Sequence, residues 1–314
     1  MQRDQTSRSA QPQSLEQVIG MPTDLSLTDQ EFRLFQQIIH AETGIFLGEH
    51  KRELVRSRLS RRVRAHGLTS FQAYYDGLTS GGLGPDERAQ MHNAITTNKT
   101  DFYREKAHFD FLAGEVLPAL KARAARSGER RLRIWSAGCS TGEEPYTIAI
   151  TLSEALGNLL TWDARILASD LDTDVLARAQ AAIYPLERVQ DVPEPQITRH
   201  FLRGVGAQAG QVQAGKALRD LVTFRRINLL DEPWPIRTRF DCVFCRNVLI
   251  YFDKPTQRRL VDRFADVLVE GGYLFLGHSE SLYGMSRRFM VLRNTINRTR
   301  PAEGAGPRIG EEAA

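Results

Sequence analysis

Little in this chain speaks for a secreted, membrane-inserted or metal-stapled protein. Its 314 residues hold three cysteines, Cys139, Cys242 and Cys245, too few for a disulfide framework and suited to a reducing compartment. No apolar run is long enough to span a bilayer, and the first 22 residues, rich in Gln, Ser and Arg, lack the apolar centre of a signal peptide. They read as a disordered arm, and a cytoplasmic location without membrane insertion is expected. Metal motifs are missing too. The seven histidines stand at 40, 50, 66, 92, 108, 200 and 278 with no H-E-x-x-H or similar spacing, so no metal is expected. Cys242 and Cys245 do form a C-x-x-C. The segment FDCVFC reads as a strand, however, where residues three apart point to opposite faces and their sulfurs diverge.

What is present is a strand, loop and helix pattern repeated. Arg131 to Pro145, RLRIWSAGCSTGEEP, and Ala164 to Asp172, ARILASDLD, each begin as a short apolar strand, and a helical pattern follows each. Together they form a βαβ unit whose strand ends face one crevice. Gly138 and Gly142 permit a tight turn and leave no Cβ between backbone N–H groups and a ligand. Asp170 ends the second strand, where it can accept from both hydroxyls of a ribose. The loop departs from G-x-G-x-x-G and carries two acids, Glu143 and Glu144, which count against a pyrophosphate and suit a cationic adenosine ligand such as S-adenosylmethionine. Taken alone, such a loop is also compatible with a plain strand-to-helix connection.

The chain divides near residue 95. From Leu25 to about Thr97 the periodicity is helical, with Phe32, Phe35, Ile38 and Ile39 spaced for one face. A Gly-rich break over 80–87 precedes a linking helix that runs toward Asn98. Beyond residue 130, strands at 131–137, 164–169, 241–245 and 273–277 alternate with helices, the rhythm of an α/β doubly wound parallel sheet. Residues 203–227 break that rhythm with short strands and Gly turns, and read as a small antiparallel β insertion. The expected organisation is an arm (1–22), an all-α N-terminal domain with a linker helix (23–97), a cofactor-binding domain (98–300) and a Gly/Pro/Glu-rich tail (301–314).

Several further segments, NKTDFYREKAHF (98–109), SAGCSTGEEPYTIAI (136–150), ASDLDTDVLARA (168–179), INLL (227–230), FDCVFCRNVLIYFDKPTQRRL (240–260) and GGYLFLGHSESL (271–282), resemble the chemotaxis receptor methyltransferases, the CheR family, in order across residues 25 to 298. The resemblance implies methyl transfer from S-adenosylmethionine to glutamate side chains on the cytoplasmic helical bundle of chemoreceptors. It implies cofactor contacts from Asn98, Thr100, Arg104, Glu144 and Asp170, with Asn228 and Leu229 flanking the adenine. Arg246 and Asn247 sit at a strand end, where crevice residues are expected. Arg104 and Tyr251 are the candidates nearest the transfer, Arg104 pairing with the cofactor carboxylate or orienting the target glutamate. A glutamate is already ionised at neutral pH, so the attack needs no general base.

The net charge of +4 concentrates between Glu49 and His66, where seven Lys or Arg face two Glu. A helical wheel puts Val55, Leu59 and Val63 on one arc and Lys51, Arg58, Arg61, Arg62 and Arg64 on the other. A solvated face, a phosphate-binding face and a docking face for an acidic protein all fit this pattern. The resemblance favours docking to glutamate-rich receptor helices through Lys51, Arg58, Arg61 and Arg62. Asn247 is followed by Val-Leu and not by the Pro-Pro of many nucleic-acid amine methyltransferases, so no nucleic-acid partner is expected. The turn RGVGAQAG resembles that of family members that bind a receptor C-terminal peptide at the β insertion. The remaining expectation is a monomer. Methylation of another protein or RNA, and cofactor binding without transfer, are the alternatives.

Overall fold

A computed structural model describes residues 25–301; the expected arm and the tail beyond residue 301 lie outside them. Two compact units divide the chain, one comprising residues up to Ile38 with Leu47–Ile95, the other Ile39–Phe46 with everything from Thr96 onward.

The first unit is helical: α1 (Asp29–Thr43, whose last turn counts with the second unit), α2 (Arg52–Ala65), α3 (Phe71–Ser80) and α4 (Glu87–Ile95). A reciprocal capping box opens α1, since Thr28 Oγ1 accepts from the Glu31 N–H and the Glu31 carboxylate accepts from the Thr28 N–H. Phe32 and Phe35 on α1, Val55, Leu59 and Val63 on α2, and Phe71 and Tyr74 on α3 are fully buried, the stripes at helical spacing that the sequence sets out. The linking helix ends at Ile95, and Thr96 to Asn98 lie outside any helix or strand.

The second unit begins with α5 (Ala107–Phe111), a π-turn (Leu112–Val116) and α6 (Leu117–Ser127), then β1 (Arg131–Ala137), α7 (Glu143–Leu156), β2 (Asp163–Asp170) and α8 (Thr173–Ala181). After β3 (Ile183–Pro185), α9 (Glu194–His200), β4 (Phe201–Arg203), β5 (Gln211–Ala214), α10 (Lys216–Arg219) and β6 (Val222–Arg226) come β7 (Phe240–Cys245), α11 (Lys254–Val267), β8 (Leu268–Leu276), β9 (Phe289–Arg293) and β10 (Ile296–Thr299). The main sheet has the order β6-β2-β1-β7-β8-β10-β9. Its first five strands are parallel, and β10 and β9 close one edge antiparallel.

Both faces of the sheet are covered, as parallel strands require. Ile134, Cys242, Phe244 and Phe275 pack on one side with Tyr146 and Ile148 of α7. Trp135, Val243, Cys245 and Leu274 pack on the other with Leu260 and Phe264 of α11. Cys242 and Cys245 thus lie in opposite cores, both buried and free, and burial pushes both thiols well above the usual range. The C-x-x-C is a strand pattern and nothing more.

The β insertion needs correcting. It is a three-stranded antiparallel sheet in the order β3-β5-β4, spanning 183–214, whereas β6, expected within it, pairs parallel with β2 as the edge of the main sheet. The strands IYP and FLR have three residues each, too short for alternation to register against their helical surroundings.

Candidate functional site: a crevice of buried carboxylates

The order of strands reverses direction at β1, which has β2 on one side and β7 on the other. The crevice beyond the carboxyl ends of these strands is the place where an open α/β sheet holds its ligand. Gly138 ends β1 at φ +85°, and both its N–H and that of Cys139 donate to the Ser169 carbonyl at 2.8 Å. A Cβ at Gly138 would stand 2.4 Å from Val248 Cγ2. Gly142 (φ +97°) caps α7, and a Cβ there would meet the Tyr184 hydroxyl at 2.8 Å. These two positions require glycine because their φ is left-handed and the Val248 and Tyr184 side chains occupy the place of a Cβ.

The two acids of the loop part company. Glu143 is buried and held by Arg188 Nη2 at 2.5 Å and Thr141 Oγ1 at 2.6 Å, so it serves the fold. Glu144 accepts from Ser136 Oγ at 2.7 Å and from Arg246 Nη1 at 3.1 Å. Burial pushes its carboxyl above the usual range, against the pull of Arg246. Asp170 is similar. Burial raises it to about 6, even though Ser140 N–H (2.8 Å) and Asp172 N–H (3.0 Å) each donate to one of its oxygens. The carboxylate offers about four acceptor positions, more than these backbone donors fill, which leaves room for a ligand hydroxyl.

Asp172, which the sequence did not single out, ties this strand end to its surroundings. Its Oδ1 caps α8 through the N–H groups of Asp174 and Val175, and its Oδ2 accepts from Thr96 Oγ1 and Asn98 Nδ2, both at 2.7 Å. Asn98 therefore spends its amide on Asp172, while its carbonyl accepts from Ser140 Oγ at 2.9 Å. Thr100 is buried nearby, and its carbonyl accepts from Arg188.

At the end of β7, Arg246 is buried and clamped. Besides Glu144 it reaches the Arg104 carbonyl, lies 3.2 Å from Glu105 Oε2, and sits over the Phe109 ring at 5.3 Å. Asn247 follows at φ +59°. Glu280 fixes that turn by accepting from the N–H groups of Gly277 (2.6 Å), Asn247 (2.9 Å) and Ile250 (3.2 Å). Burial raises the Glu280 carboxyl despite these donors. The half-buried Arg104 donates to the Lys99 carbonyl at 2.7 Å, and the Tyr251 hydroxyl lies 3.4 Å from the Thr97 carbonyl.

Two expected adenine neighbours are otherwise engaged. Asn228 donates to the Glu42 carbonyl at 2.6 Å and accepts from the Leu230 N–H at 3.0 Å. The Leu229 side chain is buried in the core with Trp234 and Trp135, so it cannot pack on a ligand without leaving that core. The basic helix also differs from expectation. Arg62 pairs with buried Glu87, Nε to Oε1 at 2.9 Å, and Arg58 donates to the Ile95 carbonyl at 2.7 Å. Lys51 is half-buried, while Arg61 and Arg64 are exposed. Arg58 and Arg62 thus also help to hold the helical unit together.

An S-adenosylmethionine molecule carries what this crevice lacks. Glu144 and Asp170 are buried acids raised by desolvation, and a sulfonium, an ammonium and ribose hydroxyls would stabilise their ionised forms. Comparison with known proteins agrees. The family model described as "CheR methyltransferase, SAM binding domain" matches residues 98–297, and "CheR methyltransferase, all-alpha domain" matches 30–96. The chain belongs to the CheR methyltransferase family. It is 46% identical over 269 residues to "Chemotaxis protein methyltransferase 2" of Pseudomonas aeruginosa, covering 86% of this chain and 92% of the relative. It is 41% identical over 280 residues to the "Chemotaxis protein methyltransferase" of Escherichia coli, covering 89% and 94%. This CheR family member is an S-adenosylmethionine-dependent methyltransferase with an all-α domain ahead of its catalytic one.

Sequence reasoning missed Glu105, Asp172 and Glu280. Each lies within or beside a quoted segment, but its role is set by partners distant in the chain.

Proposed function

We propose that this protein esterifies glutamate side chains on the cytoplasmic helices of chemoreceptors, forming glutamate methyl esters and S-adenosylhomocysteine. The observation that carries the reading is the pair Glu144, in the first turn of α7, and Asp170, at the end of β2, both raised by burial beside the crevice. The names of the relatives place methyl transfer in chemotaxis, and the receptor glutamates are what the family resemblance implies. The cofactor supplies a methyl group made electrophilic by its sulfonium. The chain's own residues bind, orient and exclude water. Asp170 holds the ribose hydroxyls, Glu144 and Arg246 border the methionyl part, and Asn98, Thr100 and Asn247 frame the crevice through the backbone they fix. Arg104 orients the incoming carboxylate or the cofactor's own, and Tyr251 walls the methyl group. The target is ionised at neutral pH and no proton need move, so alignment is the main task and can contribute roughly 7–11 kcal/mol.

The test is incubation with radiolabelled S-adenosylmethionine and receptor cytoplasmic fragments. Base-labile label on glutamate is the expected product. Label that resists base, label on RNA alone, or cofactor binding without transfer would each replace this reading.

Partner contact is proposed at two surfaces. Lys51, Arg58, Arg61 and Arg62, with the exposed Arg64 beside them, steer the acidic receptor helices, and the protein acts in the cytoplasm as a monomer. Among the described residues no helix is long and apolar enough to cross a membrane. The outer strands of the small sheet, β3 and β4, each have one unpaired edge, and exposed Leu202 and Val205 border β4. A receptor C-terminal peptide could add there as a further strand. Deleting Gly204 to Gly206 should then weaken binding of a peptide-bearing receptor tail while leaving cofactor affinity unchanged.

A further inference from the structure

Beside Arg246 lie three side chains that methyl transfer does not use. His108 is buried, and its Nε2 is 2.7 Å from Thr295 Oγ1. Its Nδ1 has no hydrogen-bond partner and faces Glu105 Oε2 at 3.6 Å. Glu105 has a side chain only 8% exposed. Its Oε1 accepts from the His278 N–H at 3.1 Å, and its Oε2 has no hydrogen-bond partner although Arg246 Nη2 is 3.2 Å away. The His278 ring, 68% exposed, brings Nε2 to 4.0 Å from the same Oε2. Two orphaned buried atoms and one accessible imidazole nitrogen therefore converge, with all three ligand atoms within 4.8 Å of one another. At 3.6 Å neither tautomer of His108 gives Nδ1 and Oε2 a hydrogen bond, and leaving both atoms unpaired at this depth is costly unless a cation lies between them.

We propose that Glu105, His108 and His278 form a site for a divalent transition metal of the zinc class, and that its occupancy competes with Arg246 for Glu105. Two imidazoles and one carboxylate make a three-ligand set that favours zinc over magnesium or calcium and leaves one position open. Ligand bonds of about 2.0–2.2 Å set tetrahedral ligand atoms roughly 3.3–3.6 Å apart, which the 3.6 Å pair already meets, and rotation of the exposed His278 ring brings in the third atom. Thr295 orients the His108 ring from behind, as an outer partner does in built zinc sites. The exposed His278 provides the entry path. Repulsion from the Arg246 guanidinium weakens the site relative to a structural zinc centre. Arg246 keeps Glu144 and the Arg104 carbonyl when Glu105 is taken, so the fold survives occupancy while the crevice loses a fixed contact.

Calorimetric titration of the full chain with zinc chloride alone reads the site without cofactor or receptor, so its failure is separate from failure of the receptor assignment. One equivalent should bind, and cobalt(II) in its place should give the visible spectrum of a low-coordinate site. His278→Ala, at an exposed position, should lower zinc affinity at least roughly tenfold, and His108→Gln, if it folds, by a similar factor. Added zinc should weaken S-adenosylmethionine binding in the parent but not in His278→Ala. Unchanged zinc affinity in His278→Ala, no stoichiometric binding by the parent, or equal competition by magnesium would overturn the site. Zinc binding that leaves cofactor affinity untouched would overturn the competition.

Discussion

Two groups of buried carboxylates, one in each unit, are built on opposite plans. Glu87 in the helical unit collects Arg62, the Tyr74 hydroxyl at 2.6 Å and the His66 ring at 2.7 Å. Burial pushes its carboxyl up, but those partners outweigh it and hold it below the usual range. Glu144 and Asp170 are enclosed more completely, and there burial wins and both are raised. Glu280 is raised too, although it fixes a turn, so a raised buried acid points to a ligand only where it borders a crevice. The difference turns on both the depth of the acid and the donors around it.

Removing Glu87 should have the largest effect. Glu87→Gln leaves Arg62 beside a neutral amide and should cost about 3–5 kcal/mol in chemical denaturation, with cofactor affinity unchanged. An unaltered midpoint would mean that the Arg62 pair is ornamental. Next comes Asp170→Ala, which should weaken S-adenosylmethionine and S-adenosylhomocysteine alike by about 1.5–3 kcal/mol, because the ribose is common to both. Calorimetry with equal affinities for parent and variant would remove Asp170 from the site.

The two plans also predict opposite responses to pH. Glu87 is lowered in the folded state, so its stabilisation is present above the unfolded carboxylate range and is lost as pH falls. Asp170, raised to about 6, does the reverse: it destabilises the ligand-free protein as pH rises from about 4 through 6. A cofactor that prefers ionised Asp170 must displace a proton below pH 6, so its affinity should fall by up to about tenfold per pH unit there. Flat affinity between pH 5 and 7 would show that Asp170 keeps its proton or never meets the ligand. The smallest effect is expected at Arg61. Arg61→Glu should change stability by less than about 0.5 kcal/mol and should raise the apparent KM for receptor fragments, more at low salt than at high. Equal KM values at both salt concentrations would leave α2 a solvated face.

Much of this was legible in the chain. The span of β1, the opposite-facing cysteines and the strand-end aspartate follow from period-two alternation and small-residue breaks, which are local signals. The partners of Arg58 and Arg62 were not legible because a helical wheel reports direction, and a long side chain can turn back onto a neighbouring helix. The core packing of Leu229 was not legible because apolar character alone does not distinguish a core residue from a ligand wall. Glu105, His108 and His278 escaped altogether: 170 residues separate the two histidines in sequence, and the end of β8 brings them together.

Asp172 has a bearing on motion. One carboxylate caps α8 with one oxygen and receives Thr96 and Asn98 with the other, two residues from the aspartate assigned to the ribose. Fraying the first turn of α8 and releasing the connecting segment are therefore a single event, since either one strands the other's hydrogen bonds in a buried place. Slow amide exchange at the two should rise and fall together, and a bound cofactor that steadies Asp170 would quiet both. Occupancy of the crevice is thus converted into stiffness of the polypeptide leading into the catalytic domain.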